Sequence, residues 1–143
     1  MRPPLTLILA LLASPGLAWE VSTDGPVCIL THAEADIAIR LTYDPGPPLY
    51  SITLTRSEDD WPEAPVFALQ FTGPQPNLIS TDRHVTNGPA LTVSDRGFGN
   101  VLDGLQFNDR ATALIGGTEI PFPLDNAADA VAAFRTCTSA PSA

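Results

Sequence analysis

Apolar and polar residues alternate over several short stretches of this chain, which is the pattern of half-buried β-strands. Residues 36–42 place an isoleucine or leucine at every second position, and residues 49–56 repeat the alternation with tyrosine, isoleucine and leucine. The sequence Asp-Pro-Gly-Pro-Pro at 44–48 separates them and favours a turn. The two stretches are therefore predicted to form a β-hairpin. Further short strands are predicted at 27–31, 66–72, 78–80, 83–86, 90–94, 111–115 and 119–122.

The periodicity becomes helical in two places nearer the C-terminus. Four apolar residues recur at the spacing i, i+3, i+4 and i+7, namely Phe98, Val101, Leu102 and Leu105. They predict a short helix, and Ser94 or Asp95 is predicted to cap its start. A second, alanine-rich helix is predicted to begin after Asp125 or Asn126 and to end near Thr136.

The predicted elements run in the order strands, helix, hairpin and final helix. Gly116 and Gly117 supply the turn of that hairpin, and Pro121 and Pro123 place its second strand at the edge of a sheet. Six or more short antiparallel strands with two short helices in the C-terminal half predict a mainly β or α+β fold. The expected architecture is an antiparallel β-sandwich-like domain.

Residues 1–18 have the pattern of a secretory signal peptide. Arg2 precedes an apolar run at 5–13, and the small residues Gly16 and Ala18 occupy the −3 and −1 positions of a cleavage site. The apolar run is too short to span a bilayer core, which needs about 20 residues in a helix. This leader is therefore predicted to be removed.

Cleavage between Ala18 and Trp19 leaves a single predicted domain of residues 19–143, with 139–143 as a disordered tail. Lipid attachment is disfavoured, because it requires a cysteine at the cleavage point and the first cysteine is Cys28. We predict a periplasmic or secreted protein without membrane insertion after cleavage.

Cys28 and Cys137 are the only cysteines of the chain. In an oxidising compartment such a pair usually forms a disulfide, and this bridge would join the first predicted strand to the end of the last helix. A redox-active pair would favour the close spacing of a C-x-x-C motif, which the sequence lacks. A structural disulfide is therefore predicted.

The composition excludes several classes of function. The formal net charge is −9, which weighs against nucleic acid or anionic lipid as a partner, because both require a cationic surface. The hydrophobic share of 44% indicates a folded chain and not a disordered one. The sequence contains no lysine, which excludes Schiff-base chemistry and a P-loop lysine, and no cofactor is predicted.

Residues 80–84 are the most suggestive segment for catalysis, because they combine a hydroxyl, an acid, a cation and an imidazole. In a strand, Asp82 and His84 would share one face and could polarise Ser80 or a water molecule for hydrolysis. The favoured alternative is a polar edge or turn in which Asp82 accepts backbone hydrogen bonds, since no G-x-S-x-G motif is present.

The two histidines, His32 and His84, are the candidates for a metal site. His32 can combine with Glu34 on one strand face, and Asp36 and Asp82 are further possible ligands, in a weak site for a divalent ion. Such a set of residues is not specific, and no metal is predicted as a cofactor.

Three further residues are candidates for binding. Arg96 precedes the first predicted helix, where it can hold a carboxylate, and Arg83 is the cation of the polar segment. Trp61 follows the acidic run at 58–60 and can bind a sugar, although packing over the edge of a sheet is the favoured alternative.

The chain resembles the invasion-associated locus B-like family of periplasmic proteins from Gram-negative bacteria. The resemblance is carried by the leader, Trp19 at the start of the mature chain, the Cys-Ile-Leu strand at 28–30, and the Pro-Leu pair at 123–124 before a closing amphipathic helix. It implies an envelope location and a binding role, with no catalytic residues to transfer.

These features predict a small, disulfide-bonded, non-enzymatic periplasmic domain that binds a protein or another envelope component, because its strand edges can accept a partner strand. The alternative function is enzymatic: a small hydrolase that uses His84, Asp82 and a nearby hydroxyl. A weak divalent-metal-binding protein is the third hypothesis.

Overall fold

The computed structural model describes residues 3–4 and 18–139. The predicted signal peptide at 1–18 and the predicted tail at 139–143 therefore lie largely outside the described residues. Within the described part the chain forms ten strands and two helices, in the order β1 (Glu20–Asp24), β2 (Val27–Ala33), β3 (Ile37–Asp44), β4 (Leu49–Arg56), β5 (Phe67–Thr72), β6 (Asn77–Thr81), β7 (Val85–Asn87), β8 (Ala90–Asp95), α1 (Gly99–Gln106), β9 (Arg110–Ile115), β10 (Thr118–Pro123) and α2 (Ala127–Ser139).

The strands form two antiparallel sheets that share one hydrophobic core. The larger sheet has the order β1-β2-β3-β4-β8-β7, and the smaller sheet has the order β10-β9-β5-β6. Both helices lie in the C-terminal half of the chain. The predicted mainly β class, with antiparallel strands in a sandwich-like arrangement, is confirmed.

The predicted hairpin is the pair β3 and β4, and the alternation of its residues decides what is buried. Leu41 pairs with Ile52 on the face that points to the core. In the smaller sheet, β5 buries Phe67, Leu69 and Phe71 in the same way. Because side chains alternate between the two faces of a strand, the hydrophobic pattern also sets the register of each pair.

β9 and β10 form the second predicted hairpin, with Gly116 and Gly117 at its turn. Both glycines have positive φ angles, 54° and 81°, which two-residue hairpin turns require and which favour glycine. β10 is an edge strand and carries Pro121 and Pro123, as predicted. Proline has no N–H to donate, so this edge of the smaller sheet is poorly suited to pair with another strand.

β1 is not among the predicted strands. Its residues are mostly polar and exposed, because it is an edge strand that pairs only with β2. Gly25, with a φ of 57°, and Pro26 form the turn that leads the chain from β1 into β2. Cys28 consequently lies in the second strand and not in the first.

α1 begins later than its predicted cap implies. Ser94 and Asp95 complete the ladder between β8 and β4, so they belong to a strand. Phe98 occupies the N-cap position and makes no side-chain capping bond. The predicted cap is therefore wrong, whereas the predicted apolar stripe is correct, since Leu102 and Leu105 are buried.

The predicted disulfide between Cys28 and Cys137 is present, with a Cα–Cα distance of 6.1 Å. It links β2 to α2 across a sequence separation of 109 residues. α2 also packs on β1, β2 and α1, and it buries Val131 and Phe134 in the core. Of the described helices, neither is long and apolar enough to cross a membrane.

Candidate binding site

A cleft of about 480 Å³ opens between the two sheets, next to β6 and β8. Its volume falls within the range of small-ligand sites, about 300–1,000 Å³. Its apolar lining consists of Ile52, Phe67, Leu69, Ile79, Val93, Phe98 and Val101. Its polar residues include Thr81, Arg83, Asp95 and Asn100. An apolar interior with a few polar groups is the usual composition of a ligand-binding site.

Two strand edges without partners border the cleft. β6 is the last strand of the smaller sheet, so one of its sides pairs with no strand in the described part of the chain. β7 covers β8 only as far as Thr92, because its three residues pair with Ala90, Leu91 and Thr92. Residues 93–95 of β8 all line the cleft, and they have a free edge as well.

The pairing of β6 with β5 decides which backbone groups face outward. The N–H of Leu78 donates to the side-chain oxygen of Asn77 at 2.9 Å. Since the backbone groups of an antiparallel strand alternate between its two sides, Leu78 and Ser80 direct theirs to the free edge. Asn77, Ile79 and Thr81 direct theirs to β5. The side chains of Ile79 and Thr81 are on the face that borders the cleft.

α1 closes one end of the cleft with its first three residues. Arg135 of α2 holds α1 there, because its guanidinium donates to Gln106 Oε1 at 2.8 Å and to Asp103 Oδ1 at 2.6 Å. The same guanidinium donates to the carbonyl oxygen of Gly99 at 3.3 Å. Cys137 follows two residues later, so the disulfide and these hydrogen bonds hold the same end of α2.

Two of the sequence candidates, Ser80 and Arg83, line the cleft. Ser80 is exposed, and its side chain lies on the outer face of the smaller sheet, opposite to that of Ile79. The backbone N–H of Arg83 donates to the Thr81 hydroxyl at 3.0 Å, which shapes the chain as it leaves β6. Ser80 therefore lines the cleft with its backbone, and Arg83 places a positively charged side chain next to the cleft.

Asp82 and His84 do not share a strand face, so that prediction is wrong. β6 ends at Thr81, and the next residues form the connection that crosses from the smaller sheet to the larger one. His84 Nε2 lies 2.8 Å from the carbonyl oxygen of Ala64. Within the described residues, no hydrogen bond joins His84 to Asp82.

His32 lies elsewhere in the fold, on β2. Its ring stacks on Trp19 with 4.5 Å between centroids and an interplanar angle of 7°, and its Nε2 lies 2.8 Å from Glu34 Oε1. Only 5% of its surface is exposed. His32 and His84 thus contact different partners. In the residues that the structure describes, no three His, Cys, Asp or Glu side chains are grouped for a metal ion.

Trp61 and Arg96 lie outside the lining of the cleft. Trp61 is buried, and its indole N–H donates to the carbonyl oxygen of Leu54 at 3.0 Å. The guanidinium carbon of Arg56 lies 5.4 Å from the centre of the Trp61 ring. Arg96 is exposed, and its backbone N–H donates to the carboxylate of Asp95 at 2.7 Å. Trp61 therefore has the environment of a packed side chain.

Comparison with known proteins adds no assignment to this geometry. The chain matches no protein-family model, no curated protein and no solved structure. Its functional interpretation therefore depends on the cleft and on the strand edges that border it.

Most residues of the cleft are absent from the sequence candidates. Val93 and Asp95 have the composition of an ordinary strand, and Asn100 that of a helix start, so none stands out along the chain. One feature of the sequence could have indicated the free strand edge at the cleft. The predicted strand at 83–86 is shorter than its partner at 90–94, which indicates an edge that is only partly paired.

Proposed function

We propose that the protein is an exported, non-enzymatic binding domain that holds a segment of an envelope protein in the cleft between its two sheets. The proposal is carried by one observation, an apolar cleft of about 480 Å³ bordered by unpaired strand edges. Export is supported by the leader pattern of residues 1–18 and by the disulfide. The resemblance to the invasion-associated locus B-like family agrees with an envelope location.

The chemistry of the cleft lining favours binding over catalysis. Its charged side chains are those of Arg83 and Asp95, and no histidine or cysteine occurs among the described lining residues. Hydrolysis requires a nucleophile and a base within hydrogen-bond reach of each other. In the described residues, the Ser94 hydroxyl is bonded to the Ser51 hydroxyl, and the Asp95 carboxylate accepts from the N–H of Arg96. Burial of apolar surface, at about 25 cal/mol per Å², supplies affinity without either group.

Export is tested by expressing the full chain in a Gram-negative host and measuring the intact mass of the periplasmic product. We expect a product that begins at Trp19 and is lighter by two hydrogen atoms than its reduced form, because the disulfide is closed. An uncut chain in the cytoplasm, with both cysteines open to alkylation, would contradict the proposal.

Binding in the cleft is tested with a photo-cross-linking residue, benzoylphenylalanine, at Asn100 in the exported protein. The control carries it at Ala38, which is exposed on the outer face of the larger sheet. We expect one envelope protein to be cross-linked from Asn100 and not from Ala38. Val93→Phe, which fills the cleft, should abolish this product, and Val66→Phe at an exposed position outside it should not.

Two outcomes would refute the binding function. The first is equal cross-linking from Asn100 and Ala38, because the partner would then not be bound at the cleft. The second is hydrolysis of an ester, peptide or glycan substrate that is lost in His84→Ala, because that result would favour the enzyme hypothesis.

A further inference from the structure

We infer that the partner segment binds as an added β-strand on the free edge of β6, with alternate side chains inserted into the cleft. This inference rests on the proposed function and specifies the chemistry of the partner. The partner is an extended peptide segment with apolar residues at every second position.

The unpaired backbone of β6 points to a peptide as the occupant. The N–H and C=O groups of Ser80 face the free edge, and no hydrogen bond to either is present in the described part of the chain. The C=O of Leu78 faces the same way, while its N–H is bonded to the Asn77 side chain. An extended polypeptide presents donors and acceptors at the matching spacing, whereas an acyl chain presents none.

The two edges of the smaller sheet differ in a way that favours β6 as the pairing edge. β10 carries Pro121 and Pro123, and proline is one of the devices by which proteins protect an edge strand. β6 contains neither proline nor a charged residue, and it exposes 58% of Leu78. Only one of the two edges is therefore protected against a further strand.

The side-chain alternation of an added strand would match the position of the cleft. In neighbouring antiparallel strands, paired residues have their side chains on the same face of the sheet. Residues of the partner opposite Ile79 and Thr81 would therefore direct their side chains between the sheets, toward Val93. The remaining partner residues would face solvent beside Ser80, so only every second position needs to be apolar.

The charged residues of the cleft set no preference for the direction of the segment. Arg83 lies two residues before Val85, which pairs with Thr92, and Asp95 lies three residues beyond Thr92. Because β7 and β8 are antiparallel, both residues lie on the same side of the Val85–Thr92 pair. The partner segment is therefore specified by its alternation and not by its terminal charges.

The inference is tested with the synthetic peptide acetyl-Asp-Val-Thr-Leu-Thr-Val-Lys-amide, which has the required alternation. Its control, acetyl-Asp-Val-Leu-Val-Thr-Thr-Lys-amide, has the same composition without the alternation. In calorimetric titrations of the purified exported protein, we expect the first peptide to bind about tenfold more tightly than the second. Equal affinities, or no binding of the first peptide, would overturn the inference.

The role of the free edge of β6 is tested with the variant Ser80→Pro. This variant removes the outward N–H and leaves the hydrogen bonds between β5 and β6 in place, because Ser80 is not bonded to β5. The matched control is Glu119→Pro on β10, at a position that faces outward like Pro121. We expect Ser80→Pro to weaken peptide binding about tenfold, and Glu119→Pro to change it by less than about twofold.

Amide hydrogen exchange of the unmodified protein tests the inference without any substitution. The Ser80 amide should exchange rapidly in the free protein and should be protected when the alternating peptide is bound. The Glu119 amide should not change. If the Ser80 amide becomes protected when the protein concentration is raised without peptide, a second copy of the protein is the occupant and the inference is overturned. If decanoate shifts the NMR resonances of cleft residues and the peptide does not protect the Ser80 amide, the occupant is a lipid and the inference is overturned.

The failure of strand addition can be told apart from the failure of the proposed function. If Ser80→Pro retains the cross-link from Asn100 and Val93→Phe loses it, then cleft binding holds and strand addition is wrong. If neither variant affects the cross-link, both are wrong.

Discussion

The guanidinium of Arg135 donates to Asp103 Oδ1 at 2.6 Å and thereby joins α2 to α1. Its other two hydrogen bonds, to Gln106 and to the carbonyl of Gly99, also end on α1. Because the first turn of α1 lines the cleft, the shape of the cleft depends on a side chain that lies outside it. Arg135 is therefore a positioning residue for the proposed site.

Arg135→Met retains most of the aliphatic stem and removes all three hydrogen bonds. We expect the free energy of unfolding to fall by about 1 kcal/mol, because the contacts are charged but partly exposed to solvent. Chemical denaturation measures this change. Arg40→Met, on the outer face of the larger sheet, is the control and should change stability by less than about 0.5 kcal/mol. Equal effects of the two substitutions would argue against a specific role for Arg135.

The double substitution Cys28→Ala with Cys137→Ala should strongly destabilise the domain. The bridge spans a sequence separation of 109 residues, and loop-closure theory assigns about 4 to 5 kcal/mol to a loop of that length. The change is measured as a lower denaturation midpoint. The reduced native chain should show a similar midpoint, and a loss below about 1 kcal/mol would contradict the expected contribution of the disulfide.

Gly104→Ala should destabilise the protein although alanine favours helices over glycine by about 1 kcal/mol. A Cβ at this position would overlap the ring of Phe71, which is itself buried in the core. We expect a net loss of about 1–3 kcal/mol in the free energy of unfolding. Gly99→Ala is the matched control, because no atom lies within 4 Å of its added Cβ. Unchanged or higher stability of Gly104→Ala would refute this steric argument.

His32→Ala should loosen the start of the domain. Trp19 immediately precedes β1 and stacks on His32, so removal of the imidazole opens one face of the indole ring. In a Trp61→Phe background, where Trp19 is the only tryptophan, its fluorescence emission should shift to longer wavelength. The control is His84→Ala, because His84 contacts a different part of the fold. This variant should leave the emission of Trp19 unchanged. An identical spectrum for both variants would contradict the proposed role of the stack.

Local patterns predicted the elements that depend on local chemistry. The β3–β4 and β9–β10 hairpins follow from alternation and turn residues, and the disulfide follows from an even cysteine pair in a chain that is predicted to be exported. β1 was missed because a polar edge strand has little apolar alternation. The cap of α1 was misplaced because pairing of β8 with β4 outweighed the capping tendency of Ser94 and Asp95.

The site was less predictable than the elements. Ser80 and Arg83 were recognised as polar residues of interest, but their relation to Val93 depends on the crossing between the sheets at 82–84. That crossing also separates Asp82 from the strand face that the catalytic hypothesis required. The alternation of residues along a strand indicates which face of that strand is buried, but not which edges of two stacked sheets lie side by side.

The position of the Cys28–Cys137 bridge has a mechanical consequence. A pulling force applied at Trp19 and Ser139 enters the chain nine residues before Cys28 and two residues after Cys137, and it passes through the covalent bond between the cysteines once β1 has separated from β2. β1 and the end of α2 would peel away first, while the residues between the two cysteines would carry almost no load. A protein tethered at its ends in this way could be stretched without distortion of the space between its sheets.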